Sequence, residues 1–180
     1  MVAVSRRAKT ITPATRLTVL RAKVLDCASI CAPAEGANAV ISCIGPPNNL
    51  STGTIVSQGA TNIVGACHHV GISRFVMQAA SHSAREPNVR LRIAWRSAFC
   101  VKSSRSDEAI AEQVLRPGDL DWVIVRPVGL RKAAQSLKYT AGPNARIPPL
   151  LPLSFAERAD CLIRAASEPM WIRKIINVGR

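Results

Sequence analysis

Short apolar runs alternate along this chain with stretches in which apolar residues recur at helical spacings. The runs predict β-strands at residues 2–4, 17–20, 39–44, 74–77, 122–125 and 175–178. The runs at 39–44 and 122–125 place apolar residues on both faces of the strand, so both faces are expected to be covered. Such strands are typical of a parallel sheet that is enclosed by helices.

Two helices are predicted in the first half of the chain. Asp26 is expected to cap the first, and Ser51 or Thr52 the second, which closes at Gly71. Gly59 and Gly65, inside the second helix, lower its intrinsic propensity. We therefore expect these glycines to allow close packing on a sheet.

Two more helices are predicted in the second half. Ser106-Asp107-Glu108 opens a helix through Leu115, with both acids at the positive end of the helix dipole. Ser154 and Glu157 form a capping box for the last helix, which Pro169 ends. This helix is predicted to turn four residues inward, namely Ala159, Leu162, Ile163 and Ala166.

Strands that are separated by single helices predict the α/β class with a doubly wound parallel sheet, here in one domain over residues 1–180. Ligands of such sheets bind outside the carboxyl ends of the strands. Residues 80–105 and 131–153 are predicted to be long loops on the substrate side. Candidate chemistry is therefore sought directly after each strand.

The chain contains 24 Lys and Arg against 11 Asp and Glu, which gives a formal charge of +13. Nearly half of its residues are apolar, which excludes intrinsic disorder. A basic protein of this kind can neutralise phosphates, so nucleic-acid binding is an alternative function. The few aromatic residues are too scattered for a base-stacking platform, and residues 27–73 contain no Lys or Arg. The charge pattern therefore argues against nucleic acid as the main partner.

No apolar run reaches the ~18–20 residues that a membrane-spanning helix needs. The segment from Met1 to Arg7 lacks the apolar stretch of a secretory signal. We therefore predict a cytoplasmic protein that does not bind membranes. An organelle transit peptide is the alternative, because the chain is basic and free of acids up to Asp26.

Six cysteines are present, at positions 27, 31, 43, 67, 100 and 161. Cys27 and Cys31 are four residues apart, and Cys67 precedes two histidines, so metal binding is one interpretation. No C-x-x-C pair or H-x-x-x-H pair accompanies them. We predict reduced, buried thiols that pack as small hydrophobic side chains, and no metal.

Several segments, in consistent order over most of the chain, resemble the NAD(P)H-binding atypical short-chain dehydrogenase/reductases. This branch includes flavin and biliverdin-IXβ reductases and proteins similar to the nitrogen metabolite repressor. The resemblance implies a Rossmann-like fold. The matching segments are 24–26, 36–45, 59–64, 70–76, 120–127 and 158–160.

One departure from the family concerns its first βα unit. Its members open with a strand and a G-x-x-G-x-x-G turn, whose backbone N–H groups approach the cofactor pyrophosphate. This sequence contains no such turn, and Val2 to Arg7 resembles the end of the family's second strand. Roughly 30 residues are therefore expected to be missing, including the central strand of the sheet. Two strands should then lack a partner, and either the true start lies upstream or the chain is a weakened version of the fold.

A second departure concerns catalysis. Family members often carry a serine pair after the fifth strand, where this chain has Ala79 and Ala80, with Ser81 one residue later. The Tyr-x-x-x-Lys pair of typical short-chain enzymes is also absent, and a lysine that some members carry is replaced by Glu108. Hydride transfer to a flavin depends mainly on how the reactants are positioned. The loss of a proton-donating side chain is therefore tolerable for flavin-like acceptors.

The resemblance implies a set of cofactor-binding residues. Arg6 and Arg7 lie where an arginine accommodates the 2′-phosphate of NADP, so NADPH is favoured over NADH. The alternative is that both arginines are solvated near a terminus. Asp26 corresponds to a residue near the adenine, although an N-cap alone explains it equally well. Backbone contacts are expected from Ile44, Gly45 and Pro46, and nicotinamide contacts from Ala79, Ala80, Ser81, Pro127 and Val128.

Catalytic and substrate residues are less defined. Ser81, with His82, is the candidate donor to the nicotinamide or substrate, and loop solvation is the alternative. Asp160 is expected to be structural. Trp95 and Phe99, set among three arginines, are candidates to line a pocket for an anionic or aromatic acceptor, or else lie exposed on an insertion.

The sequence thus predicts an NADPH-dependent reductase of a flavin-like or other small aromatic acceptor. The alternatives are a non-enzymatic NAD(P)H sensor, a degenerate remnant of the fold or, third, a basic nucleic-acid-binding protein.

Overall fold

The structure is a computed structural model that describes residues 1–45, 53–79, 98–133, 138–148 and 151–180, with the side chains of 98–106 excepted. The strands are β1 (Val2–Ser5), β2 (Thr18–Arg21), β3 (Ala39–Ser42), β4 (Arg74–Gln78), β5 (Asp121–Pro127), β6 (Leu130–Arg131), β7 (Thr140–Gly142), β8 (Leu153–Ser154) and β9 (Lys174–Gly179). The helices are α1 (Ala28–Ala34), α2 (Ile55–Val70), α3 (Ala98–Leu115) and α4 (Phe155–Ser167).

The main sheet has five strands in the order β3-β4-β5-β9-β7. Its first four strands are parallel, and only β7 runs antiparallel to its neighbour. This architecture confirms the predicted α/β, Rossmann-like fold. The strands β1 and β2 form a separate two-stranded parallel sheet, and β6 pairs with β8 in a short ladder.

Each face of the main sheet carries its own apolar core, because side chains alternate between faces along a strand. On the first face, Phe75 and Met77 of β4 and Ile124 of β5 pack with the buried sides of α1, α2 and α3. On the second face, Val76 of β4 and Val123 of β5 pack beneath α4. The strands β4 and β5 are thus covered on both sides, as the run at 122–125 predicted. The same prediction is wrong in part for β3, since Ile41 is 38% exposed.

The start of α2 is capped by a residue from another helix. Asp107 is buried, and its carboxylate accepts hydrogen bonds from the backbone N–H groups of Val56 and Ser57 at 2.8 Å and 3.0 Å. A carboxylate at this position also interacts favourably with the positive end of the helix dipole. The prediction that Asp107 opens its own helix is wrong, because α3 begins at Ala98. The predicted loop over 80–105 therefore ends before residue 98, and residues 80–97 lie outside the described part.

The capping box of α4 is present as predicted, with Ser154 and Glu157 bonded reciprocally. The predicted inward face is wrong in part, since Ile163 is 59% exposed and Ala159 is also exposed. The buried residues of α4 are Glu157, Cys161, Leu162 and Ala165. The helix turns this way because the carboxylate of Glu157 is buried against the guanidinium of Arg180 and the N–H of Ser154. A prediction from apolar periodicity alone could not assign the acidic residue Glu157 to the buried face.

Of three further predictions about local structure, the cap of α1 is wrong and the two glycine roles are confirmed. The prediction that Asp26 caps α1 is wrong, because the N-cap residue is Cys27 and no side chain caps the helix. The hydroxyl of Ser29 instead donates a hydrogen bond to the backbone carbonyl of Asp26. Gly71 closes α2 in the left-handed region, as predicted. Gly59 allows the predicted close packing, since a Cβ there would lie 3.1 Å from a methyl group of Val24.

The cysteines whose side chains are described are all free thiols. Cys67 and Cys161 are buried, and burial raises their pKa values to about 11 and about 12. Cys27 and Cys43 are exposed, so the prediction of buried thiols is wrong for these two. Within the described residues, no cluster of three metal-ligating side chains occurs, and no helix is long and apolar enough to cross a membrane.

Tyr139 fixes part of the 131–153 segment to α4. Its hydroxyl donates a hydrogen bond of 2.5 Å to a carboxylate oxygen of Asp160. Burial, followed by this hydrogen bond, raises the pKa of Tyr139 to about 12. Asp160 therefore has a structural partner, in agreement with its predicted role.

We expect Gly179→Ala to destabilise the protein by about 1–3 kcal/mol, the usual cost of overpacking a core. A Cβ at position 179 would collide with the side chain of Ile147 and lie 3.0 Å from Val128. Gly129→Ala is the matched control, since a Cβ at that glycine meets nothing within 4 Å. Urea unfolding of both variants measures the difference, and equal midpoints would contradict the described packing.

The fold stabilises the neutral form of Tyr139, so the stability that it contributes should be fully present below pH 10 and lost as the pH rises toward 12. Because the chain has one tyrosine, tyrosinate absorbance reports this group alone. We expect a midpoint near 12 in the folded protein and about 10 in denaturant. Asp160→Asn should lower the folded midpoint only partly, since burial is the larger cause. If circular dichroism shows the protein to be folded while Tyr139 titrates at the midpoint that it has in denaturant, the buried environment described for Tyr139 is wrong.

Candidate functional site

The candidate site lies at the carboxyl edge of the parallel strands. Because β3, β4, β5 and β9 are parallel, their carboxyl ends meet at one edge of the sheet. In open α/β sheets, this edge is where ligands bind. Gln78 at the end of β4 and Pro127 at the end of β5 therefore mark the region in which the predicted site residues should lie.

Several predicted residues lie along this edge on adjacent strands. Ile44 is half-buried and reaches Gly59 of α2, whereas Gly45 is exposed, with open space where a Cβ would stand. Ala79 is buried and donates its N–H to the carbonyl of Val125 at 3.0 Å. Pro127 and Val128 are also buried, and the N–H of Val128 is bonded to Val178. The predicted residues Pro46, Ala80 and Ser81, like His82 and Trp95, lie outside the described residues, as does the side chain of Phe99.

Arg6 and Arg7 lie apart from this edge, since β1 pairs with β2 and not with the main sheet. Both arginines are exposed, and the backbone N–H of Arg7 is bonded to the Ser5 hydroxyl at 3.0 Å. Among the described carboxylates, none lies within ion-pair distance of either guanidinium. Both cations are therefore available to an anionic ligand.

Asp26 is exposed at the end of a segment that is tied to α2. The side-chain amide of Asn62 donates to the carbonyl of Val24 at 2.9 Å. The thiol of Cys27 faces the carbonyl of Asn62 at 3.7 Å. Through these contacts the segment after β2 is held next to Gly59, close to the end of β3.

A buried ion pair at the end of β5 was missed at the sequence level. The guanidinium of Arg126 binds both carboxylate oxygens of Glu112 on α3, at 2.7 Å and 2.8 Å. Arg116 binds the same carboxylate at 2.8 Å. Pairing compensates for the burial of Glu112, which would otherwise be costly. The Arg126-Pro127 sequence indicated the end of a strand, but no sequence signal identified Glu112 as the partner of Arg126.

On the second face, three further side chains lie near the carboxyl edge. Arg74 at the start of β4 donates to the carbonyls of Ala165 and Glu168, so α4 runs antiparallel to β4. This places Arg158, near the start of α4, over the carboxyl end of β4. Two buried atoms in this region have no hydrogen-bond partner among the described residues, namely Oε1 of Gln78 and Nε of Arg158.

Cys43 completes this group from the end of β3. The residue as a whole is exposed, but the protein atoms around its sulfur raise the pKa of the thiol, and the charge of Arg158 opposes that shift. The thiol of Cys43, at the end of β3, is therefore near Arg158, whose buried Nε has no partner among the described residues. Each unmade hydrogen bond of a buried polar atom costs about 1–3 kcal/mol, so this region is incompletely satisfied as it stands.

The comparisons with known proteins agree with this architecture. The model of an NAD(P)H-binding family matches residues 1–169. Among curated proteins, no sequence matches the chain.

Three solved structures illustrate the likeness in fold. The oxidoreductase ylbE of Lactococcus lactis is 15% identical, with a TM-score of 0.80, and the match covers 99% of this chain and 78% of that one. A short-chain dehydrogenase/reductase of Veillonella parvula, solved in complex with NADP, is 20% identical, with a TM-score of 0.72 and coverage of 99% and 82%. The anaerobillin reductase ChuY of Escherichia coli is 20% identical, with a TM-score of 0.74 and coverage of 98% and 82%.

Roughly a fifth of each of these neighbours lies outside the match, whereas nearly all of this chain lies within it. The family match extends over almost the whole sequence and agrees with the parallel sheet and the strand-end site. The chain therefore belongs to the NAD(P)H-binding family.

Proposed function

We propose that this protein is a reductase that uses NADPH to reduce a flavin-like or other small aromatic acceptor. The observation that carries the proposal is the row of adjacent strand ends at Ile44-Gly45, Ala79 and Pro127-Val128, which forms the ligand-binding edge of a parallel sheet. One solved neighbour is described as an anaerobillin reductase and another contains NADP, which supports both the reaction class and the cofactor.

Arg6 and Arg7 fit the 2′-phosphate of NADPH. Both are exposed, and neither is paired with a described carboxylate, so a phosphate monoester would gain two charge-assisted partners. The preference for NADPH over NADH rests on these two side chains. The glycine turn that would hold the pyrophosphate is absent from the sequence, so the fit of these residues covers only one end of the cofactor.

The proposed choice of acceptor follows from the side chains at the strand ends. The side chain of Ala79 is a buried methyl group at the end of β4, and it cannot give a proton to a substrate. When bound, NADPH supplies a hydride, and the acceptor gains that hydride together with a proton from water, leaving NADP⁺. Flavins and similar aromatic acceptors require mainly that the reactants be positioned, which a rigid strand edge provides.

A second candidate function is a non-enzymatic NAD(P)H sensor or a remnant that no longer binds cofactor. The observation that favours it is the separation of the β1-β2 sheet from the main sheet. Arg6 and Arg7 follow β1 of the smaller sheet, whereas Ile44, Ala79 and Pro127 lie at the strand ends of the main sheet. A cofactor would have to span both.

A thermal-shift titration with NADPH and NADH, followed by an assay of NADPH oxidation with flavin, separates these functions. A reductase should be stabilised by NADPH more than by NADH, and it should oxidise NADPH when flavin is present. Thermal stabilisation by NADPH without oxidation of NADPH would contradict a reductase and favour a sensor. A protein that neither nucleotide stabilises would overturn cofactor binding altogether.

Replacing Arg6 and Arg7 together by alanine should weaken NADPH binding at least tenfold and leave NADH binding nearly unchanged, since a hydrogen bond to a charged group contributes about 1.5–3 kcal/mol. Lys174→Ala is the control, because Lys174 is also exposed but lies at the amino end of β9, away from the carboxyl edge. Equal losses for NADPH and NADH in the double variant would contradict a 2′-phosphate site.

A further inference from the structure

Two cysteines lie one helical turn apart at α1. Cys27, the N-cap residue, has helical backbone angles, and its carbonyl accepts a hydrogen bond from the N–H of Cys31 at 3.2 Å. Residues at this spacing project from the same face of a helix, with about 5–6 Å between their Cβ atoms. Cys27 is exposed and Cys31 is half-buried, whereas Cys67 and Cys161 are fully buried. The pair at α1 is therefore accessible in a way that the core thiols are not.

The side chains of the pair interact with each other. Desolvation is the main cause of the raised pKa of the Cys31 thiol, and a hydrogen bond and charge repulsion from Cys27 add to it. The two sulfur atoms are therefore near neighbours. Two thiolates this close repel each other, and a cation bound between them would remove that repulsion.

The neighbouring helix α2 leaves the sulfur of Cys27 uncovered. This sulfur lies 3.7 Å from the backbone carbonyl of Asn62, and a Cβ on Gly65 would lie 3.9 Å from it. Among the described residues, the sulfur is the only atom from another element within 4 Å of that Cβ position. Gly65, which is itself exposed, thus leaves open space beside the thiol pair through which a small ligand can approach.

The spacing of the pair favours a bridging ion over a disulfide. A disulfide needs Cβ atoms that are about 3.5–4.5 Å apart, which is closer than one helical turn places them. Two metal–sulfur bonds of about 2.3 Å allow the sulfurs to stand up to about 4.6 Å apart when the metal lies directly between them. An ion can therefore join the two thiols without distorting the helix.

The number of ligands selects the kind of ion. Thiolates prefer soft metals, namely Cu(I), zinc and the iron of iron–sulfur clusters. Structural zinc sites and iron–sulfur clusters take four protein ligands. In the part of the chain that the structure describes, no group of three or more His, Cys, Asp or Glu side chains could hold a metal. Cu(I) is the soft ion for which two thiolates are sufficient.

We propose that Cys27 and Cys31 form a two-coordinate binding site for Cu(I). On binding, each thiol releases its proton to solvent, two Cu–S bonds form, and two bonds from the ion to its previous ligands break. No electron is transferred. The site replaces the sequence-based expectation that the chain binds no metal, because that expectation assumed buried thiols. It does not depend on the proposed reductase activity.

The test is a competition titration under nitrogen, in which the 180-residue chain removes Cu(I) from a coloured chelator. We expect one tightly bound Cu(I) per chain. Cys27→Ser and Cys31→Ser should each weaken binding by about 100-fold or more, since the second thiol binds intramolecularly. Cys43→Ser is the control and should leave the affinity unchanged, because Cys43 is also exposed but follows β3.

A further variant tests the position of the thiols at constant number. Cys31→Ser combined with Ala32→Cys keeps six cysteines but turns the second thiol by about 100° around the helix, away from Cys27. Ala32 is exposed, so a larger side chain is tolerated there. This double variant should bind Cu(I) as weakly as Cys31→Ser alone. If it binds as tightly as the unchanged protein, the assignment to one helix face is wrong.

X-ray absorption at the copper edge should show two sulfur neighbours, and gel filtration should show that the loaded protein is a monomer. Copper that links two copies of the chain would overturn the proposal. So would an equal loss of affinity in Cys43→Ser and Cys27→Ser, in proteins that circular dichroism shows to be folded. If glutathione disulfide readily closes a bond between Cys27 and Cys31 while the reduced protein does not compete for Cu(I), the pair serves thiol–disulfide exchange instead.

Discussion

The structure depends on the requirement that backbone groups of a parallel strand be hydrogen-bonded on both sides. β4 and β5 meet this requirement, and they are the most completely buried strands of the chain. Every helix packs on one of the two faces that these strands create. In the part of the chain that the structure describes, β1 and β3 each pair with one strand only, and apolar side chains such as Val2 and Ile41 are exposed there.

The same requirement determines where chemistry can occur. Strand ends in the main sheet bring Gly45, Ala79 and Val128 to one edge, which is the usual ligand-binding edge of such a fold. The arginines that would recognise a 2′-phosphate belong to the other sheet. At this edge, the buried Oε1 of Gln78 at the end of β4 has no hydrogen-bond partner among the described residues.

Buried charges stabilise the periphery of the two cores. Glu112 is held by Arg126 and Arg116 at the end of β5, and Glu157 is held by Arg180 beneath α4. The Glu112–Arg126 pair joins α3 to β5, and the Glu157–Arg180 pair joins α4 to the residue after β9. Removing one partner of such a pair leaves an uncompensated buried charge, which is much more costly than the net contribution of the intact pair. The orientation of α4 and the position of α3 thus depend on ion pairs as well as on apolar packing.

The sequence by itself determined the fold class, the order of the elements and most strand positions, because apolar runs such as 122–125 and caps such as Ser154 with Glu157 are local signals. The family resemblance, together with the absence of a glycine turn, also led us to expect two strands without a partner. Only the tertiary structure decided that Asp107 caps α2, that Glu157 is buried while Ile163 is exposed, and that Glu112 binds Arg126. These are contacts between residues that are distant in sequence or between a charge and its partner on another element. Apolar periodicity predicts which face of an element is buried. It does not predict which charged or polar groups from other elements pair with each other inside the fold.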